Sequence, residues 1–481
     1  MTDDRTTGIS YVSTRGVAPA LGFDDVLLTG LARDGGLYVP DAWPQLGDEV
    51  WDLPDDTPYA TLAATVLWPF VAGGSVTRRD LDDLCCSAYA SFRHPDVVPL
   101  VTLEEAGRGK AATSLLELFH GPTLAFKDVA LQLVGRLFDH VLASRSERLT
   151  IVGATSGDTG SAAIEACRGH EALDIVMLHP AGRVSKVQRR QMTTVDAANV
   201  HNLAVDGSFD DCQDLVKAMF NDIGFRDRLQ LSAVNSINWA RIVPQVVYYV
   251  AAIRALGGRD RPVAFSVPTG NFGNVFAAYA AHRMGAPVDQ LVIGSNANDI
   301  LHRFLKRGDM AMRDVVPTTS PSMDIQVSSN FERLLFELDE RNGPLVAGQL
   351  AQFRETGTMS LHATAMNELR RLFDGARFDD DEVASCMAAV HARTGMLLDP
   401  HSAIGVAAAA DARLHDDVPM VVAATAHPAK FPDAVATATG VRPALPEHLA
   451  DLYDRPERLV EVPNDLAAVQ AFVADVSRVP A

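Results

Sequence analysis

Lys127 stands in the segment Leu118-Phe-His-Gly-Pro-Thr-Leu-Ala-Phe-Lys-Asp128, directly after the apolar residues Leu124, Ala125 and Phe126 and before a helix expected over Asp128–Leu137. An amine held among apolar neighbours loses stabilisation of its charged form, so its pKa falls and it becomes nucleophilic. Covalent attachment of an aldehyde cofactor requires such an amine. A cation at a helix N-terminus is unfavourable, which argues against a merely solvated lysine here. Two glycine-rich turns accompany it, Gly153-Ala-Thr-Ser-Gly-Asp-Thr-Gly160 and Pro268-Thr-Gly-Asn-Phe-Gly-Asn274. Each follows an apolar run of strand length and precedes an alanine-rich helix. Each would therefore aim unpaired backbone N–H groups at an incoming phosphate or carboxylate. Thr155, Ser156, Thr159, Asn271 and Asn274 add side-chain donors.

The first turn also has the loose spacing of a nicotinamide-binding loop, so an oxidoreductase is the competing reading. Against it, Asp158 lies where a pyrophosphate would pass, and the strand Asp174–Leu178 ends in His179-Pro180 without the acid that would hold a ribose.

The elements that must position these groups repeat as apolar run, turn and helix. Instances are Leu149–Val152 then Ser161–Cys167, Val263–Val267 then Asn274–Met284, and Met420–Ala424 then Pro432–Thr439. Ile175–Leu178 and Leu291–Ile293 are further strand-length runs. Strands alternating with helices predict an α/β fold with parallel sheets covered on both faces and more than one sheet layer. Upstream, short strands near Ile9–Thr14 and Gly36–Val39 precede helices over Ala60–Val71 and Thr77–Tyr89, and Pro95–Pro99 reads as a boundary. The acidic runs Asp80–Asp83 and Asp379–Glu382 read as solvated helix starts, Phe331–Leu338 as a core helix, and residues 440–481 as holding a terminal helix without chemistry.

Composition bounds the function classes. Of 481 residues, 47% are hydrophobic and 21% charged, which excludes wholesale disorder and small disulfide scaffolds. With 42 basic against 61 acidic residues the net charge is −19, so general attraction to nucleic acid or anionic membrane is not expected. An anionic ligand must be captured locally. The five cysteines, Cys85, Cys86, Cys167, Cys212 and Cys386, form no C-x-x-C pair, and reduced thiols in a cytoplasmic setting are expected. The longest apolar stretch, Val243–Leu256, is broken by Pro244, Gln245 and Arg254, so no membrane span is expected. No His/Cys set has metal-ligand spacing, and no metal is expected. His120 and His427 lie close in sequence to reactive segments and are candidates for proton relay or cofactor contact. His401, in Asp399-Pro-His-Ser402, reads as part of a helix start with Ser402 as the cap.

Taken together, Leu118–Asp128, Gly153–Gly160, Ser266–Asn274 and Ala424–Phe431 (ATAHPAKF) resemble the threonine synthases. These are pyridoxal 5'-phosphate enzymes of the tryptophan-synthase-β fold, fold type II. Tyr11–Gly16, Asp34–Pro40, Asn235–Asn238, Ser320–Ile325, Ser329–Arg333 and Asp399–Ser402 resemble the same family in its longer bacterial and fungal form. Thr269 stands where the family often has Ser, and Ala424 where it often has Gly; neither change removes a reactive group. The resemblance implies two α/β lobes with the cofactor between them. They would comprise an N-terminal segment 1–95, a smaller lobe 96–240 with Lys127 and Gly153–Gly160, and a larger lobe 241–481 with the phosphate turn and Thr425. It also implies that Lys127 holds the cofactor and moves substrate protons. Gly270, Asn271, Phe272, Gly273 and Asn274 would cradle the cofactor phosphate, and Thr425 would bond the ring nitrogen. Thr155, Ser156, Gly157, Asp158 and Thr159 would hold the substrate carboxylate. Ser185, Lys186, Arg189, Asn235, Asn238 and Arg241 would be candidates for the substrate phosphate. The substrate implied is O-phospho-L-homoserine, the chain acting as monomer or homodimer. A phospholyase or dehydratase releasing 2-oxobutyrate is the nearest alternative.

Overall fold

The computed structural model describes residues 8–107 and 109–480. Two sheets of unequal size carry the chemistry-bearing segments. The larger has six strands in the order Phe373–Arg377, Val288–Ser295, Val263–Pro268, Met420–Ala424, Thr113–Glu117, Leu100–Glu104. All neighbours run parallel except the last pair. Val263–Pro268 and Met420–Ala424 are buried along their whole length. They read as unbroken apolar runs because helices cover both faces of a parallel sheet; Pro400–Ala412 packs across strands of this sheet.

The smaller sheet has five strands, all parallel, in the order Val460–Pro463, Val200–Asp206, Leu173–Pro180, Leu149–Ala154, Leu231–Ser232. Sheet membership therefore crosses the sequence. Leu100–Glu104 and Thr113–Glu117 belong with strands beyond residue 263, and Val460–Pro463 returns to strands before residue 232. The boundary expected at residues 240 and 241 does not follow the sheets. Residues 440–481 hold the expected terminal helix, Leu466–Val476, and also contribute the strand Val460–Pro463.

The N-terminal unit pairs Tyr11–Ser13 antiparallel with Tyr38–Pro40 and adds helices Tyr59–Val71 and Arg78–Tyr89. Thr77 and Asp80 form a reciprocal capping box, as do Asp379 and Glu382, so both acidic runs start helices as expected. At Asp399–Ser402 the cap is Asp399, not Ser402: its carboxylate accepts from the His401 and Ser402 amides.

The helix that begins at Lys127 continues to Arg145, well past Leu137, because Leu137, Phe138, Val141 and Leu142 extend its buried face. Gly135 lets it lie against the helix Asp158–Cys167; a Cβ there would come within 2.2 Å of the Ala166 carbonyl oxygen. No helix among the described residues is long and apolar enough to cross a membrane. Among the described residues no His, Cys, Asp and Glu cluster could hold a metal ion.

Candidate active site

Lys127 and Thr425 follow adjacent strands of the larger sheet. The Phe126 amide donates to the Thr425 carbonyl at 2.9 Å and the His427 amide to the Leu124 carbonyl at 3.0 Å, so the two segments are clamped together. Asp158 comes from the smaller sheet, at the start of its helix, and its Oδ2 lies 3.4 Å from Lys127 Nζ. Ser322 donates to the same oxygen at 3.3 Å. The Ser322 carbonyl oxygen in turn lies so close to Gly270 that a Cβ there would meet it at 2.7 Å. One chain of contacts thus joins the lysine to both glycine-rich turns.

The electrostatics at this junction are uneven. Burial lowers the Lys127 pKa; Asp158 opposes that shift, while Lys430 and Arg241 reinforce it. Burial disfavours ionisation of Asp158, yet Lys430 and Lys127 outweigh it and hold the carboxyl well below its usual range. Lys430 is fully buried. Its three protons meet three acceptors: Asp158 Oδ1 at 2.8 Å, the Thr123 carbonyl at 2.8 Å and Gln191 Oε1 at 3.2 Å. Gln188 Nε2 donates to Asp158 Oδ1 at 2.9 Å. Lys430 and Gln188 are the site residues that sequence reasoning missed. The available signal is Lys430 itself, inside the ATAHPAKF segment whose sequence points first to Thr425 and His427.

The second turn forms a cup at the N-terminus of the helix Gly273–Arg283. Phe272 adopts φ 65° to make the turn, a conformation rare for a non-glycine residue and typical of functional sites. Both Tyr248 and Tyr249 hydroxyls donate to Asn274 Oδ1, leaving its Nδ2 buried without a partner. A buried orphan donor beside unpaired helix amides suits an anion such as a cofactor phosphate. The cup is braced from outside: Asn330 Nδ2 donates to the Asn271 carbonyl at 3.0 Å, and Ser328 to the Gly270 carbonyl at 2.6 Å. The buried Arg333 links that brace to Tyr38 and Ile237, and Glu332 binds Thr14 and Arg15. Tyr11–Gly16, Asp34–Pro40 and Ser329–Arg333 thus act together as a scaffold for the cup. Gly270→Ala is expected to displace the Ser322 backbone and weaken cofactor binding about tenfold, roughly 1.4 kcal/mol. Titrating apoprotein with pyridoxal phosphate by absorbance checks this.

The remaining candidates divide. Thr155 is buried and accepts from the Gly157 and Gly160 amides, shaping its own loop, while Ser156 is exposed and Thr159 half-buried beside it. Gly157, at φ 144°, passes so near Gln188 that a Cβ would meet that side chain at 2.5 Å. Arg241 is buried, bonds the Val234 carbonyl at 2.9 Å, leaves Nε unpaired, and has its pKa lowered by burial to about 10. No carboxylate pairs with it among the described residues.

Asn238 is not free for a ligand: its Nδ2 donates to the Leu27 carbonyl and its Oδ1 accepts from the Ala240 amide, capping the turn into Arg241. Arg189 is engaged by Glu457 at 2.7 Å. Ser185 caps the helix Lys186–Thr193 and bonds Gln188; Lys186 and Asn235 are exposed. His120 bonds Glu117 at 2.8 Å. Burial and the nearby His120 push His427 down to about 4, so it is neutral at working pH. Both histidines line a cavity of about 590 Å³ beside Ala424 and Ala426, whose walls do not include Lys127. The Thr425 amide is anchored by Ser402 at 3.1 Å, and its hydroxyl has no protein partner among the described residues.

Comparison with known proteins identifies the family. Three family models match: "Threonine synthase N terminus" over residues 10–89, "Pyridoxal-phosphate dependent enzyme" over 93–426 and "Threonine synthase, C-terminal" over 402–473. The threonine synthase of Pseudomonas aeruginosa is 54% identical, covering 96% of this chain and 98% of its own. That of Corynebacterium glutamicum is 42% identical over 97% of this chain and 98% of its own. A crystal structure of pyridoxal-phosphate-bound threonine synthase from Brucella melitensis superposes with TM-score 0.94 at 53% identity, covering 98% of this chain and 100% of that one. The yeast enzyme gives 0.91 at 36% identity, covering 98% and 99%. The chain belongs to the threonine synthase family of pyridoxal-phosphate-dependent enzymes.

Proposed function

We propose that this site converts O-phospho-L-homoserine and water into L-threonine and phosphate, with Lys127 as the covalent anchor of pyridoxal phosphate and the carrier of substrate protons. The observation that carries the reading is the Lys127 amine, buried and biased towards its neutral form where both glycine-rich turns meet. Bound there, pyridoxal phosphate supplies an aldehyde that takes up amines and a ring that accepts electrons when Cα loses its proton.

The Gly270–Asn274 turn and the amides at the start of Gly273–Arg283 hold the cofactor phosphate, with Asn274 Nδ2 as a further donor. The Thr425 hydroxyl would bond the ring nitrogen of the cofactor. The Ser156 and Thr159 hydroxyls, with the first amides of Asp158–Cys167, take the substrate carboxylate. Arg241, buried and without a carboxylate partner among the described residues, is the strongest candidate for the substrate phosphate. Ser185, Lys186 and Asn235 supply the exposed rim. Lys127 Nζ moves protons at three substrate carbons. One leaves Cα. A second leaves Cβ as phosphate departs from Cγ with the C–O electron pair, and a proton then arrives at Cγ. Water gives its hydroxyl to Cβ and a proton returns to Cα.

A lyase releasing 2-oxobutyrate would share the first half of this sequence and fail to deliver water to Cβ. Product analysis separates the two: threonine and phosphate in equal amounts are expected, and 2-oxobutyrate as the main product overturns the reading. A hydroxyl at the ring nitrogen favours a neutral ring, whereas a carboxylate favours a protonated one. Thr425→Asp is therefore expected to keep cofactor binding while raising the 2-oxobutyrate fraction. An unchanged product ratio removes that role for Thr425.

A further inference from the structure

Asp158 faces two buried lysines and does not treat them alike. Its Oδ1 is 2.8 Å from Lys430 Nζ, while its Oδ2 is 3.4 Å from Lys127 Nζ and 3.3 Å from Ser322 Oγ. Lys430 has no exposed surface and an acceptor for each of its three protons. Its partners come from three separate segments: Asp158 from the smaller sheet, Thr123 from the loop before Lys127, and Gln191 from the helix Lys186–Thr193. Burying an ammonium is expensive unless it is paired and fully bonded, and here every bond is made.

We infer that Lys430 is a positioning residue of the reaction: by taking the short contact with Asp158, it leaves the Lys127 amine without a full ion pair and free to attack the cofactor aldehyde. This rests on Lys127 being the covalent anchor. Without Lys430, the same carboxylate would have Lys127 as its only lysine partner. Amine and carboxylate would then share one proton tightly, and that proton must leave before the amine can react. The other charged groups around the pair act in a fixed sense. Arg241 faces Lys127 and, like Lys430, disfavours its protonation. Asp128 lies within the field of Lys430; burial raises its pKa to about 6, while bonds from the Thr123 amide at 2.8 Å and hydroxyl at 2.6 Å oppose the rise. Its titration falls in a lower pH range than that of an amine.

The test uses the full-length apoprotein and pyridoxal phosphate. The cofactor is added at successive pH values and trapped with borohydride, and label at Lys127 is measured by peptide mass spectrometry. The pH midpoint of labelling is expected to rise by about one unit or more in Lys430→Met, a tenfold loss of reactive amine at fixed pH. Lys430→Arg, which keeps the charge, is expected to restore the parent midpoint. Lys430→Gln, which keeps a donor for the Thr123 carbonyl, is read the same way should the Met variant not fold. A folded variant whose midpoint stays within about 0.3 unit of the parent overturns the inference while leaving Lys127 as anchor. Label on another lysine of the parent overturns both.

Discussion

Lys127→Ala is expected to abolish turnover and the visible band of the lysine-bound cofactor together. The substitution removes the amine that bonds the aldehyde and the base that moves protons at the substrate carbons. General acid–base catalysis alone contributes about 10²–10⁴-fold; with the covalent role added, a fall of at least about 10⁴ in kcat is expected. No neighbour can substitute. Lys430 is held by three acceptors, and Arg241 keeps its proton at working pH, its pKa lying near 10. Steady-state phosphate release checks the prediction, and turnover retained within about tenfold of the parent contradicts the assigned role. The phosphate cup lies outside the substitution, so the variant is still expected to bind pyridoxal phosphate reversibly, detected by equilibrium dialysis.

Asp158→Asn should produce the largest loss of stability. The carboxylate is buried between Lys430 and Lys127, and removing its charge leaves a fully buried ammonium with only neutral acceptors. Breaking a buried pair by deleting one charge costs about 3–5 kcal/mol. Asn keeps one oxygen for Lys430, which places the expected loss near the lower end, about 3 kcal/mol. The pH dependence has a definite sign. The folded-state pKa of Asp158 is depressed, so its contribution is fully present above the unfolded-state value of about 3.9 and is lost as pH falls through the folded value. The gap between parent and variant should therefore be wide at neutral pH and narrow on acidification below about pH 4. Urea melts at both ends of that range measure it; a gap independent of pH would mean that the charge of Asp158 does not stabilise the fold.

Much of this site was legible because its parts are local. A glycine-rich turn between an apolar run and an alanine-rich helix declares its geometry within about ten residues, and both Gly153–Gly160 and Pro268–Asn274 form as expected. Lys127 announced itself by its apolar flank. What stayed hidden depends on long-range pairing. Nothing local to Lys430 shows that Asp158, far away in sequence, will reach it from another sheet. Asn238 and Arg189 were candidate ligands only through the family resemblance; Leu27, Ala240 and Glu457 engage them once the chain has folded. Helix Lys127–Arg145 outran its expected end because Phe138, Val141 and Leu142 find a buried face that only the folded chain supplies. The scaffold formed by Thr14, Arg15 and Glu332 joins residues over 300 positions apart, beyond any periodicity.

The strand Val460–Pro463, which completes the smaller sheet beside Val200–Asp206, has a consequence for biosynthesis. While the chain emerges from the ribosome, the strand Val200–Asp206 must wait about 250 residues for its outer neighbour, with a row of unpaired amides and carbonyls on that side. An open edge of this kind is a template for joining another chain, and contacts so distant in sequence form slowly. Arg478 adds a late fastening, its guanidinium meeting Asp174 at 2.6 Å. Shortening the gene to end before codon 460 should yield a protein whose turns and lysine are intact on paper yet which aggregates during expression.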